Sequence, residues 1–163
     1  MKIAVSACLL GRPCRYDGAS KPSDDVLALR AYHELVEVCP EVAGGLATPR
    51  PPCEIVAGER ALHVVDAEGA DLTDAFIEGA RATLETVKRE GCRLAVLKAN
   101  SPSCGNGLVY DGTFTGTLVS GFGVAARLIS DEGIAVLDEN EVRSRLAEFL
   151  PDGLRRDHSS PRG

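Results

Sequence analysis

The 163-residue sequence has no tryptophan, one methionine, three histidines and an aromatic content of only 4%. It also lacks a surplus of positive charge, since 18 Lys+Arg stand against 24 Asp+Glu for a net charge of -6. A nucleic-acid groove needs cations to neutralise phosphates and rings to stack bases. Both shortages point away from a polymer and toward a small-molecule partner. No apolar run approaches the roughly 18 residues of a membrane span, and the amino terminus has no apolar signal-peptide core. These absences predict a cytoplasmic protein with no membrane partner.

What the chain does have is cysteine, six in all, and none of them in a CxxC pair. That spacing excludes a zinc ribbon or a ferredoxin-type string. In a reducing compartment an even cysteine count does not imply disulfides, so ligation or catalysis carries more weight. With 44% hydrophobic and 26% charged residues the composition is that of an ordinary globular protein. The length suits one domain, expected over residues 1–150, followed by a solvated tail over 151–163 rich in Arg, Asp, Ser, Pro and Gly.

Taken in order, the chain alternates strands and helices. Lys2 to Leu10 reads as a buried first strand running into Cys8, and Gly11 to Gly18 as a loop carrying Arg12, Cys14, Arg15 and Tyr16. Ser23 caps a short helix that fades by His33, and Leu35 to Val38 is a second strand ending at Cys39. A Gly- and Pro-rich loop follows from Val42 to Glu54, then a strand over Arg60 to Asp66. The 3.6-residue periodicity predicts a helix from Asp71 to Glu90, with Asp71 as cap and Gly91 as terminator. Arg93 to Lys98 is the next strand, Tyr110 to Gly116 a hairpin or irregular turn, and Gly121 to Ile129 opens another helix. Ile134 to Leu137 is the last parallel strand and Asn140 to Leu150 a capped terminal helix. The pattern predicts one α/β domain, three-layered, Rossmann-like or flavodoxin-like, with a mainly parallel sheet.

The stretch Leu97 to Gly107 concentrates chemistry, with Lys98, Ser101, Ser103 and Cys104 in a turn directly after an apolar strand. Cys8, Cys39 and Cys104 share one feature, a position at a strand's carboxyl end. In a parallel sheet those ends share an edge, so the three thiols converge although they are distant in sequence. A thiol triad at such a rim suits an iron–sulfur cluster whose fourth iron stays open as a Lewis acid. The same thiols also suit an all-thiolate zinc site or plain core filling. Cys14 reads as a fourth ligand or a bystander, and Cys92 as core; neither they nor Cys53 join the ligand set. Glu41, two residues after Cys39, is placed to act as general acid or base, or to be a solvated loop carboxylate. His33 and His63 read as structural.

Several blocks are recognisable together: Ser6-Ala7-Cys8-Leu9-Leu10-Gly11, Arg15-Tyr16-Asp17-Gly18, Cys39-Pro40-Glu41 with Gly44-Gly45, Pro49-Arg50-Pro51-Pro52, Lys98 with Ser101-Pro102-Ser103-Cys104-Gly105, and Tyr110-Asp111-Gly112-Thr113-Phe114. In this order they resemble a bacterial family long known only as a domain of unknown function, whose characterised members are 2-thiouracil desulfidases. The resemblance spans roughly residues 3 to 137. It implies a Rossmann-like domain with a 4Fe-4S cluster on Cys8, Cys39 and Cys104, and non-redox desulfuration of a thiolated pyrimidine base or nucleoside with release of hydrosulfide. It further implies Glu41 as proton-transfer group and Ser101 as substrate anchor, with Ser103 a close competitor. Arg15, Tyr16, Arg50 and Lys98 are the remaining substrate-binding candidates. The rival from another class is a non-catalytic metal, iron–sulfur or sulfur-binding module built on the same thiols.

Overall fold

In the computed structural model, which describes residues 1–151, four strands form one parallel sheet in the order β2-β1-β5-β8. These are β1 (Lys2–Ser6), β2 (Glu34–Val38), β5 (Leu94–Leu97) and β8 (Ala135–Asp138). Alternation along β1 divides the core, because successive side chains of a strand leave on opposite faces. Ile3 and Val5 join Leu94, Val96 and Leu137 under Val26 of α1 (Asp24–Ala28) and Val142 of α5 (Glu139–Ser144). Ala4 joins Ala95 and Leu97 under Val87 of α3 (Thr73–Glu90) and Ala126 and Ile129 of α4 (Val124–Asp131). Helices therefore cover both faces, giving the expected three layers. Cys92 is buried in the second cluster, as its place before an apolar strand suggests.

Two antiparallel hairpins flank the sheet. One pairs β3 (Cys53–Ile55) with β4 (Val64–Asp66), and the other pairs β6 (Asn106–Tyr110) with β7 (Leu118–Phe122). The second touches the edge of the parallel sheet, where Asn106 Nδ2 donates to Val136 O across 3.0 Å and to Glu141 across 2.9 Å. No helix among the described residues is long and apolar enough to cross a membrane.

Several boundaries differ from the sequence expectation. β1 stops at Ser6, and Ala7–Leu10 turn as a short 3₁₀ segment closed by Gly11 in the left-handed region at φ 95°. The loop from Val42 to Glu54 is not uniformly irregular: α2 (Pro40–Ala43) runs into it and β3 closes it. Of Arg60 to Asp66 only the last three residues are a strand. Asp71 does not cap α3; Leu72 stands at that position, and Asp71 Oδ1 accepts from Thr73 N and Oγ1 instead. Gly121 and Phe122 belong to β7, so α4 begins three residues later than expected. The terminal helix is shorter, with Asp138 forming a capping box with Glu141 and a 3₁₀ turn over Leu146–Phe149. His33 and His63 are held by hydrogen bonds to Phe149 O at 2.9 Å and to Glu59 at 2.9 Å. Of the expected tail only exposed Pro151 is described; the rest lies outside the described residues.

Candidate active site

Because all four sheet strands run parallel, their carboxyl ends share one edge. The chain enters the sheet at β1, steps outward to β2, then crosses to the other side of β1 for β5. That reversal leaves a crevice between the loops after β1 and β5, where open parallel sheets hold ligands. A cavity of about 570 Å³ opens there. Cys8 reaches it from the 3₁₀ turn after β1, and Cys39 from the residue before α2. Cys104 comes from the turn after β5, where Asn100 takes a left-handed φ of 67°. Arg15, Tyr16, Glu41, Arg50, Lys98, Ser101 and Ser103 line the same cavity, so every residue put forward as a ligand, catalytic or substrate-binding candidate lies at one place.

The polar groups are interlocked. Ser101 Oγ accepts the backbone N–H of Ser103 and of Cys104, each at 3.1 Å, and lies 3.0 Å from Ser103 Oγ. Ser103 Oγ donates to Glu41 Oε2 at 2.9 Å. A hydroxyl has one proton, and the carboxylate is the strongest acceptor in reach, so Ser101 donates to Ser103 and Ser103 to Glu41. Glu41 Oε1 accepts from Arg50 Nε at 3.2 Å, with the arginine side chain 7% exposed and the glutamate 16%. The other guanidinium nitrogens donate to Ala47 O, Thr48 Oγ1 and Cys14 O. Arg50 thus commits its donors to protein groups at the cavity wall and ties α2 and the loop carrying Cys14 to its own loop.

Lys98 is similarly engaged, with Nζ 2.6 Å from Glu139 Oε1 and 3.2 Å from Ala99 O. Glu139 was missed in the sequence. The available signal was its position immediately after the last parallel strand. Ser6 was missed too; its Oγ accepts from Lys98 N at 2.9 Å and donates to Cys104 Sγ at 3.5 Å, linking β1 to the loop after β5. Arg15 stacks over the ring of Tyr16 at 5.7 Å, a cation–π contact that steadies the ring.

Six free thiols are present, and five line the cavity: Cys8, Cys14, Cys39, Cys53 and Cys104. The Cys14 thiol interacts with those of both Cys8 and Cys39. The thiol of Cys39 is held far above its usual range by that contact and then by burial. For Cys14 the contact with Cys39 pulls downward, but the contact with Cys8 and burial outweigh it. Burial pushes Cys104 up to about 11 against the hydrogen bond from Ser6 and the neighbouring Ser103 hydroxyl, and pushes Cys53 up to about 12, with the Glu41 charge adding to it. These groups stay protonated until something cationic replaces the protons. Among the described residues no trio of His, Cys, Asp or Glu converges tightly enough for one metal ion. Thiols spread around a cavity fit a polynuclear iron–sulfur group better than a single ion.

The fold and the site define a class: a parallel α/β protein with cysteines, a carboxylate and two serines gathered at the topological switch point of its sheet. The family described as 2-thiouracil desulfurase matches residues 3–141, and the chain belongs to it. A Bacillus subtilis (strain 168) relative, uncharacterized protein YbbK, is 42% identical over 150 residues, which cover 88% of this chain and 99% of the relative. The solved structure of the [4Fe-4S]-dependent thiouracil desulfidase TudS superposes with a TM-score of 0.80 at 45% identity, covering 92% of this chain and 99% of that one.

Proposed function

We propose that this chain is an iron–sulfur-dependent desulfidase that converts a thiolated pyrimidine base or nucleoside to its oxo form. The balance is hydrolytic: water supplies oxygen to the carbon, the C=S bond is replaced by C=O, and sulfur leaves as hydrosulfide with no net redox change. Cys8, Cys39 and Cys104 would hold a 4Fe-4S cluster. When bound, that group supplies a Lewis-acidic iron that polarises the thiocarbonyl.

The chain's own residues do the proton work. Glu41, oriented by Arg50 on one oxygen and Ser103 on the other, takes a proton from water and returns it to the departing sulfur. Ser101 and Ser103 form the relay that leads from the cavity wall to that carboxylate, and Ser101 is the serine proposed to anchor the substrate. Arg15 and Tyr16 form one side of the binding space. Lys98 and Arg50 act by holding carboxylates in place. The observation that carries this reading is the meeting of three strand-end thiols with the Glu41–Ser103–Ser101 chain in one cavity, in a member of this family.

The test is anaerobic reconstitution with iron and sulfide quantified, then incubation with 2-thiouracil and detection of hydrosulfide and uracil. A cluster with stoichiometric hydrosulfide and uracil is expected. Zinc, or no metal, after reconstitution would overturn the mechanism.

A further inference from the structure

The protein is poor in rings, with four Phe and three Tyr, yet three of these seven line the one cavity: Tyr16, Tyr110 and Phe114. Phe114 is the unusual one. It stands at the tip of the β6–β7 hairpin, is 36% exposed, and takes a left-handed φ of 57°, a conformation that residues with a Cβ adopt only under constraint. An exposed phenylalanine in a strained turn gains nothing for the core.

The constraint is visible. Glu54 Oε1, from β3, accepts the backbone N–H of Gly112 at 3.0 Å and of Phe114 at 3.2 Å. Gly112 lies so close to β3 that an added Cβ would meet Val56 Cα at 2.7 Å. Asp111, Thr113, Thr115 and Thr117 are chained by side-chain hydrogen bonds of 2.6 to 2.9 Å along the turn. The tip is a preformed support rather than a swinging lid, and it presents a ring to the cavity that also holds Tyr16, Tyr110 and the thiols.

We propose that Phe114 is a specificity-determining residue whose ring stacks on the planar ring of the substrate. This rests on the desulfidase reading above and extends it by selecting flat heteroaromatic thioamides. Stacking is indifferent to which face substituents the ring carries, and it leaves the C=S edge free to point at the thiols.

The discriminating variant is Phe114→Gly, because glycine accepts this backbone conformation without steric cost and so removes the ring while easing the turn. The holoprotein variant is expected to melt no lower than the parent, to keep its cluster absorbance, and to show a KM for 2-thiouracil raised about tenfold, the equivalent of ~1.4 kcal/mol, with kcat little changed. Calorimetric binding of uracil should weaken by a similar factor, and Phe114→Tyr should restore both. Unchanged KM and uracil affinity in a folded Phe114→Gly protein would overturn the stacking role while leaving thiouracil turnover by the parent intact. Failure of the parent to convert thiouracil, with uracil binding still weakened by Phe114→Gly, would overturn the desulfidase reading and keep the aromatic seat.

Discussion

Ser103 Oγ donates to Glu41 Oε2 across 2.9 Å, joining residues 62 positions apart in the chain. The contact exists because β5 lies beside β1 and β1 beside β2, so the turns after β5 and β2 meet above β1. It couples the carboxylate proposed for proton transfer to the hydroxyl beside Cys104.

Replacing Glu41 by Gln keeps the shape of this contact and removes the charge. The expected outcome is a fall in kcat of about 100-fold or more, the scale of general acid–base catalysis, with iron content and cluster absorbance unchanged. Steady-state hydrosulfide release alongside the visible spectrum measures both, and near-normal kcat would remove Glu41 from the mechanism.

Arg50→Gln breaks a mostly buried ion pair and strips donors from Ala47, Thr48 and Cys14. Removal of one partner of such a pair costs about 3 kcal/mol, and Arg50→Lys should recover little, since an ammonium lacks the planar fork that reaches Glu41, Thr48 and Cys14 together. Denaturant unfolding of the cluster-free protein reads the difference directly. A loss below about 1 kcal/mol, the level of an exposed pair, would contradict the clamp.

The thiols separate into two groups by iron analysis. Serine at Cys8, Cys39 or Cys104 is expected to abolish most iron binding after anaerobic reconstitution, whereas Cys14→Ser retains it. The comparison is demanding because Cys14 touches two of the three proposed ligands. Equal iron loss in all four variants would enlarge the ligand set.

Helix α2, which carries Glu41, crosses α3 with backbone against backbone. A Cβ on Gly79 would run into Pro40 O, and one on Gly44 into Ala75 O. Gly79→Ala therefore must push α2 away, at a cost of about 1–3 kcal/mol by the usual scale of overpacking, and should lower kcat through the displaced carboxylate. Thermal melting and turnover check this together, with Gly69→Ala excluded as a control because Gly69 needs φ 89°.

Asp111 gives a pH signature to the hairpin tip. The side chain and then the backbone N–H of Thr113 hold its carboxyl below the ordinary 3.8. A depressed acid stabilises the fold fully above the ordinary value and loses that contribution as pH falls through the folded one. The stability gap between parent and Asp111→Asn should accordingly be present at neutral pH and shrink in acid, as denaturation midpoints at the two pH values will show.

The layer order was legible because burial on both faces leaves continuous apolar strands such as Leu94 to Leu97, and the gathering of Cys8, Cys39 and Cys104 at one edge was legible because each comes after a parallel strand. Hairpin β3–β4 was harder to see, since its short strands are separated by a loop and their pairing is nonlocal. The capping of α3 was misread because Asp71 stands one residue before the N-cap position, held by Leu72, and bonds Thr73 at the helix start from there. Arg50 and Lys98 were named as substrate-binding candidates with the family blocks; that each also holds a carboxylate, Glu41 and Glu139, was not legible, because those partners come from other segments and no local pattern pairs them.

Asn106 has a consequence apart from the cavity. Strand β8 is an outer strand, and an outer strand's unpaired carbonyls are a template for another chain's strand. The amide of Asn106 occupies Val136 O, and the β6–β7 hairpin sits beside it. That carbonyl is thereby taken out of reach of an incoming strand, which blunts this edge of the sheet.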